Sequence, residues 1–198
     1  MLDPVVPGNL QAYFDKGVQA YLQGAEEYAV DLLAFVVKQA PDATEARRYL
    51  RLAIQKRYAA QPPSALSVLG STVLTLPLRA WAALAQLGGQ DRRAIALYER
   101  LLMLTPRSTA VLMRLALTLT ASGLEDAAVQ TYEELLMIDP KHLAALRKLA
   151  RLAMKRGNDP KARQCFERLL QLHPGDPEAQ QSLRNLDALG TIKKGFSS

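Results

Sequence analysis

Cysteine is almost absent from this sequence, which has a single one, Cys165, among 198 residues. One cysteine cannot form an intrachain disulfide, and a chain without disulfides is typical of a reducing compartment, so we expect a cytoplasmic protein. Glycine and proline, eleven of each, are too scarce for a collagen-like or low-complexity chain. Aromatic residues make up only 6%, which argues against a binding sheet rich in aromatic side chains.

Long apolar runs are also missing. The longest, residues 65–78, contains serine, threonine and glycine and stops at Arg79, so it is shorter than the ~20 apolar residues of a membrane-spanning helix. The first ten residues place no basic residue ahead of an apolar stretch, which predicts no secretory signal. Alanine and leucine supply most of the 49% hydrophobic composition, and both favour helices.

A repeat of 34 residues is the strongest pattern that is present. Pro106, Pro140 and Pro174 recur at this spacing, and each follows a stretch with a paired leucine. Superposing residues 75–108, 109–142 and 143–176 aligns two columns of alanine, one of glycine and one of aromatic residues. These columns are Ala82, Ala116 and Ala150; Ala94, Ala128 and Ala162; Gly89, Gly123 and Gly157; and Tyr98, Tyr132 and Phe166.

Each repeat reads as a helical hairpin. In the middle repeat, Leu112, Leu115, Ala116 and Leu119 lie at i, i+3, i+4 and i+7, which is one face of a helix. Gly123 is expected to end this helix, because glycine adopts a left-handed conformation without a Cβ clash. A second helix is expected over residues 125–138, followed by a proline that stops it. Such a hairpin cannot cover its own apolar face and has to stack on a neighbour.

These columns closely resemble those of the tetratricopeptide repeat family, whose unit is 34 residues long. The resemblance covers residues 75–176 in three successive units, with Trp81 standing where the other two units have Leu115 and Leu149. It implies an all-α, right-handed α-solenoid of helix-turn-helix repeats with a C-terminal capping helix.

The rest of the chain is divided by weaker matches to the same unit. We predict a leader over residues 1–9, a divergent repeat over 10–43 and a degenerate repeat over 44–74. The degenerate repeat has an irregular loop at Pro62–Pro63 and a shortened second helix, for which a β-hairpin over 68–74 is the alternative. After the repeats 75–108, 109–142 and 143–176, Asp176 is expected to cap a helix over 177–190 that ends at Gly190, and 191–198 to form a flexible tail.

Residues suited to catalysis or metal binding are few and isolated. His142 and His173 lie in corresponding turns without further metal ligands near them, so we interpret both as turn residues. Cys165 lies next to the aromatic column with no histidine nearby, which favours a structural thiol over a nucleophile. We therefore expect no catalytic site, no metal, no cofactor and no enzymatic activity.

The resemblance also implies where a partner binds, since the first helix of each unit lines the concave wall of such solenoids. The candidate binding residues on that wall are Phe14, Val18, Arg79, Gln86, Met113, Leu117, Arg147, Arg151 and Lys155. The last three form a basic stripe at i, i+4 and i+8, whereas the apolar ones are at the N-terminal end. A protein or peptide partner with an apolar part and an acidic part is expected.

Some members of the family clamp a C-terminal carboxylate with lysine and asparagine on successive first helices. The matching positions here are Ala83, Leu117 and Arg151, so recognition of chaperone tails is not expected. The leading hypothesis is a non-catalytic interaction scaffold or adaptor. The alternative is a secretion-type or assembly chaperone that holds a partly unfolded client. A homodimer through the N-terminal unit is also plausible.

A basic segment raises a third hypothesis. Residues 141–168 contain nine lysines and arginines against Asp159 and Glu167, and such a concentration can bind phosphate groups. The one aromatic residue among these cations, Phe166, belongs to the aromatic column of the repeat, so no aromatic row is available to stack on bases and nucleic acid is the less favoured partner.

Overall fold

The computed structural model describes residues 6–60 and 75–195, and the side chains up to residue 188. In these ranges the chain forms ten helices and no strand. The helices are α1 (Gly8–Leu22), α2 (Glu26–Gln39), α3 (Thr44–Ala60), α4 (Leu76–Leu87), α5 (Asp91–Leu104), α6 (Thr109–Ala121), α7 (Glu125–Ile138), α8 (Leu143–Lys155), α9 (Asp159–Leu172) and α10 (Pro177–Gly195). Every one of them is too short or too polar to cross a membrane.

The chain forms two compact units, Met1–Thr131 and Tyr132–Ser198. The first unit contains α1 to α6, with α2 packed on both α1 and α3 and α5 packed on α4 and α6. In the second unit α9 packs on α8 and on α10.

Short turns with one left-handed glycine join the two helices of four hairpins. Gly24, Gly89, Gly123 and Gly157 have φ between 69° and 79°, a conformation that costs an L-residue with a Cβ free energy. The glycine column that the sequence predicts as helix-ending is therefore confirmed, and Gly24 takes the same place in the first hairpin.

The column residues form the core of each hairpin. Leu112, Leu115, Ala116 and Leu119 of α6 are all fully buried. The aromatic column is buried too, with Tyr98 at 3% exposure and both Tyr132 and Phe166 at 0%. Burial of such side chains contributes about 1.5–3 kcal/mol each, which is why the repeat is readable in the sequence.

Gly17 brings α1 unusually close to α2. A Cβ on this residue would lie 2.8 Å from Cγ of Leu33, a side chain that is itself completely buried. The divergent first hairpin therefore has the close helix approach that the small-residue column provides in the other hairpins.

Two predicted boundaries differ from the observed ones. Helix α1 begins at Gly8, inside the predicted leader, directly after Pro7. Helix α10 continues through Gly190 to Gly195, because a glycine inside a helix costs only about 1 kcal/mol relative to alanine and does not by itself end it. Residues 191–195 are thus helical rather than tail. The shortened helix, the proline loop and the alternative hairpin, over 61–74, lie outside the described residues.

Candidate peptide-binding surfaces

Three aromatic rings form a row between the first helices of the first unit. Tyr49 of α3 lies between Phe14 and Tyr21 of α1, with ring centroids 5.9 Å and 6.1 Å away, both in edge-to-face geometry. All three rings are half-buried, and Val18 packs against the same core as they do. Edge-to-face pairs of this kind hold rings in fixed orientations, so the row is a rigid apolar surface.

Two cations flank this row. Cζ of Arg48 lies 5.5 Å from the centre of the Tyr49 ring, and Nζ of Lys56 lies 5.3 Å from that of Tyr21. Arg48 and Lys56 are exposed and make exposed ion pairs, Arg48 with Glu45 at 3.1 Å and Lys56 with Glu26 at 3.1 Å. We call Phe14, Tyr21, Arg48, Tyr49 and Lys56 the aromatic surface.

The electrostatics of the aromatic surface favour carboxylates. The pKa of Glu26 is lowered from its ordinary value, first by a backbone hydrogen bond and then by Lys56. Exposed ion pairs such as those of Lys56 and Arg48 contribute little to stability. A carboxylate of a bound peptide can therefore replace the internal one at low cost.

The predicted residues on α4 and α6 are half-buried, and one of them makes an internal hydrogen bond. Oε1 of Gln86 accepts a hydrogen bond from the hydroxyl of Tyr98, 3.0 Å away, and burial raises the pKa of that tyrosine. Met113 and Leu117 lie one turn apart on α6, and Arg79 is on α4. Gln86 thus holds its own hairpin together, whereas Met113 and Leu117 offer an apolar surface.

The basic stripe of the second unit faces the acidic start of α10. Arg147 forms an ion pair with Asp176 and a second one with Glu178, 3.3 Å away. Arg151 makes a bidentate pair with Glu178, with one N–O distance of 2.7 Å. Lys155 is exposed at the end of α8. Two of the three predicted stripe residues therefore connect α8 to α10.

The pKa shifts at this junction follow from these contacts. Asp176 caps α10, since its Oδ1 accepts a hydrogen bond from the N–H of Ala179, 2.9 Å away. This bond, followed by the pair with Arg147, holds the pKa of Asp176 below its ordinary value. The pKa of Glu178 is lowered mainly by the hydrogen bond from Arg151. The predicted cap of the C-terminal helix is confirmed.

Helix α4 carries an exposed apolar face. Trp81 is 69% exposed, whereas Leu115 and Leu149 in the same column are 0% and 1% exposed. Leu84 is 67% exposed, and Leu76 and Leu87 are exposed as well. Trp81, which departs from the leucines of its column in the sequence, therefore departs from them in burial as well.

The residues that the sequence offers for catalysis lie in the core or at the ends of helices. Cys165 is buried, and burial raises the pKa of its thiol, which weakens it as a nucleophile. Nδ1 of His142 accepts a hydrogen bond from the N–H of Ala145 at the start of α8, and His173 follows the last residue of α9. In the described part of the chain no three histidine, cysteine or acidic residues cluster as metal ligands.

The pattern along the sequence does not predict that Tyr21, Arg48, Tyr49 and Lys56 form one surface. A signal was available on α3, where Arg48, Leu52 and Lys56 follow at i, i+4 and i+8 and so share one face. The contact of this face with α1 depends on tertiary packing over about thirty residues, which spacing alone does not reveal.

Comparison with known proteins agrees with this architecture. The human RPAP3 second repeat domain, solved with the HSP70 peptide SGPTIEEVD, is 18% identical, with a TM-score of 0.53 over 59% of this chain and 98% of that one. SycD, a type III secretion translocator chaperone of Yersinia enterocolitica, is 18% identical, with a TM-score of 0.53 over 62% and 88%. MamA is 16% identical, with a TM-score of 0.50 over 95% and 86%. These likenesses concern the fold.

No curated protein is significantly similar to the chain in sequence. The tetratricopeptide repeat family matches residues 119–186, which include most of the last two predicted repeats. Together with the paired helices and the glycine turns, this match confirms the fold class predicted from the sequence, an all-α solenoid of helical repeats that over residues 119–186 match the tetratricopeptide repeat.

Proposed function

We propose that this chain is a non-catalytic interaction scaffold that binds peptide segments of other proteins on the first helices of its repeats. The observation that carries the proposal is the aromatic surface, where Phe14, Tyr21 and Tyr49 lie between the exposed cations Arg48 and Lys56. Aromatic rings packed against one another can contact the apolar residues of a peptide. Cations whose carboxylate partners can be replaced suit its acidic residues.

The aromatic surface serves this function better than the basic stripe. Asp176 is only 3% exposed in its pair with Arg147, so a ligand carboxylate would have to break a partly buried contact there. On the aromatic surface the competing carboxylates are more accessible, since the side chain of Glu45 is 40% exposed and that of Glu26 is 23% exposed. Met113 and Leu117 on α6 are further apolar candidates within the first unit, and Lys155 is an exposed candidate of the second unit, at the end of α8.

Site-specific photocrosslinking tests this proposal. A benzophenone side chain in place of Leu52, which is 39% exposed and lies between Arg48 and Lys56 on α3, should crosslink a limited set of proteins in an extract of the source cell. The same group in place of Gln164, exposed on α9, should not crosslink them.

Charge reversal provides the matched comparison. Arg48→Glu with Lys56→Glu should lower crosslinking at position 52 by about tenfold, since attraction to acidic segments becomes repulsion. Arg107→Glu with Arg168→Glu changes the net charge equally at two exposed positions and should leave it unchanged. Equal crosslinking at positions 52 and 164, or equal loss in both double variants, would contradict the proposal.

A second candidate function is that of a chaperone holding a partly unfolded client. The exposed apolar face of α4, with Trp81, Leu84 and Leu87, favours it, because such faces are rarely left open without a partner. One dominant client that co-purifies in stoichiometric amount and is lost in Trp81→Ser with Leu84→Ser would support this role over a scaffold. The predicted cytoplasmic location and homodimer remain predictions.

A further inference from the structure

An apolar groove runs between α2 and α5, the second helices of two different hairpins of the first unit. It holds about 400 Å³ of space, within the range of about 300–1,000 Å³ that is usual for binding pockets. Its walls are mostly apolar, and Phe35 on its edge is 41% exposed. Apolar side chains from three helices line it, among them Ala34, Phe35, Leu50, Ile95, Ala96 and Leu97.

The shape of the groove is fixed by contacts below and beside it. Glu99 of α5 accepts hydrogen bonds from Arg47 and Arg51 of α3, which ties one wall to the helix that supplies Leu50. The Phe35 ring on the other wall packs against Tyr13, with centroids 5.0 Å apart. A groove held in this way needs little rearrangement to bind a partner, which lowers the cost of binding.

The rim of the groove is positively charged. Arg92 and Arg100 lie eight residues apart on α5, about 12 Å along the helix, and Lys38 is on α2 opposite them. Asp31 is the acidic residue of the rim, because the carboxylate of Glu99 is already shared between Arg47 and Arg51. The lining thus combines an apolar floor with a net excess of cations.

We propose that this groove binds an amphipathic helix of a partner protein. Apolar side chains spaced at i, i+3, i+4 and i+7 would enter the groove, and aspartate or glutamate on both sides of them would contact Lys38, Arg92 and Arg100. This mode of binding places an apolar helix face in a hydrophobic groove, and the rim selects for acidic flanks. The groove lies between two second helices with Leu50 of α3 in its lining, and none of the five residues of the aromatic surface lines it.

Selection of binding peptides tests the proposal on the full chain. A displayed library of random peptides, each long enough for about four helical turns, is selected against the protein at physiological salt. The selected sequences should share helix-spaced apolar residues with acidic neighbours. Their synthetic versions should bind more than about tenfold more weakly to Arg92→Glu with Arg100→Glu, whereas Arg107→Glu with Arg168→Glu should stay within about twofold.

A second variant separates shape from charge. Ala96→Trp places a bulky ring in the groove and should also abolish peptide binding, while Arg48→Glu with Lys56→Glu on the aromatic surface should not. Circular dichroism establishes that each variant is folded, and should Ala96→Trp not fold, the charge-reversed pair alone decides.

Three outcomes would overturn the proposal. The first is that the selected peptides bind equally well to the wild type and to the variant Arg92→Glu with Arg100→Glu. The second is that peptides which depend on the groove are selected only when residues 64–74 have been replaced by glycine and serine, because this chain itself would then be the occupant. The third is that sedimentation shows a dimer which dissociates in Arg92→Glu with Arg100→Glu, because a second copy of the chain would then be the occupant.

Discussion

At the scale of single residues, the carboxylate of Glu99 joins two helices that are distant in sequence. It lies between the guanidinium groups of Arg47 and Arg51, which are one turn apart on α3, and Arg47 also donates to the carbonyl of Pro41, 2.9 Å away. Arg47 is 2% exposed. Charges this far from water are stable only when each has partners, because desolvation costs several kcal/mol per ion.

Removal of that carboxylate should therefore destabilise the first unit strongly. We expect Glu99→Ala to lower the free energy of unfolding by about 3–5 kcal/mol, since two buried guanidinium groups lose a carboxylate that both of them contact. Urea unfolding followed by circular dichroism measures the change. Glu167→Ala is the matched control, because Glu167 occupies the same repeat column on α9 and is exposed. Similar losses in both variants would mean that the buried ion cluster has no special role.

At the scale of elements, α4 differs from the helices that correspond to it. Its Trp81 is 69% exposed in a column whose other members, Leu115 and Leu149, are buried. We expect Leu115→Ala to cost about 2–5 kcal/mol of stability. Trp81→Ala should stay within about 0.5 kcal/mol, as is usual for exposed positions. Chemical denaturation of the two variants measures the difference, and a large loss for Trp81→Ala would show that its ring is packed in solution.

The contrast between Trp81 and the buried leucines of its column shows how far the sequence alone could predict the structure. Hairpin helices and glycine turns follow from local periodicity and from the left-handed φ of residues such as Gly123, so both were predictable. The exposure of Trp81 depends on what covers α4, which periodicity cannot tell. Periodicity also could not predict the contacts of the candidate site, because the pairing of Arg147 with Asp176 joins residues 29 positions apart.

At the scale of the whole molecule, the arrangement of charge decides which polyanions the chain can bind. The basic segment over residues 141–168 has a large positive excess in the sequence, yet carboxylates outside it neutralise several of its cations. Arg151 pairs with Glu178, Lys161 with Glu133 at 2.6 Å, and Arg163 with Asp187 at 2.5 Å. Fewer cations are therefore available to phosphates than a count along the sequence suggests.

Release of two of these cations should make the protein a better nucleic-acid binder. Glu178→Gln with Asp187→Asn leaves Arg151 and Arg163 without the carboxylates that they contact in the second unit. Each additional phosphate contact steepens the dependence of log affinity on log salt concentration by about 0.9 for duplex DNA. We therefore expect a slope steeper by about 1.8 in the variant, measured by fluorescence anisotropy with a labelled duplex. Arg151→Gln with Arg163→Gln in the same background should restore the shallow slope. An unchanged slope in Glu178→Gln with Asp187→Asn would mean that these carboxylates do not compete with phosphate for the two arginines.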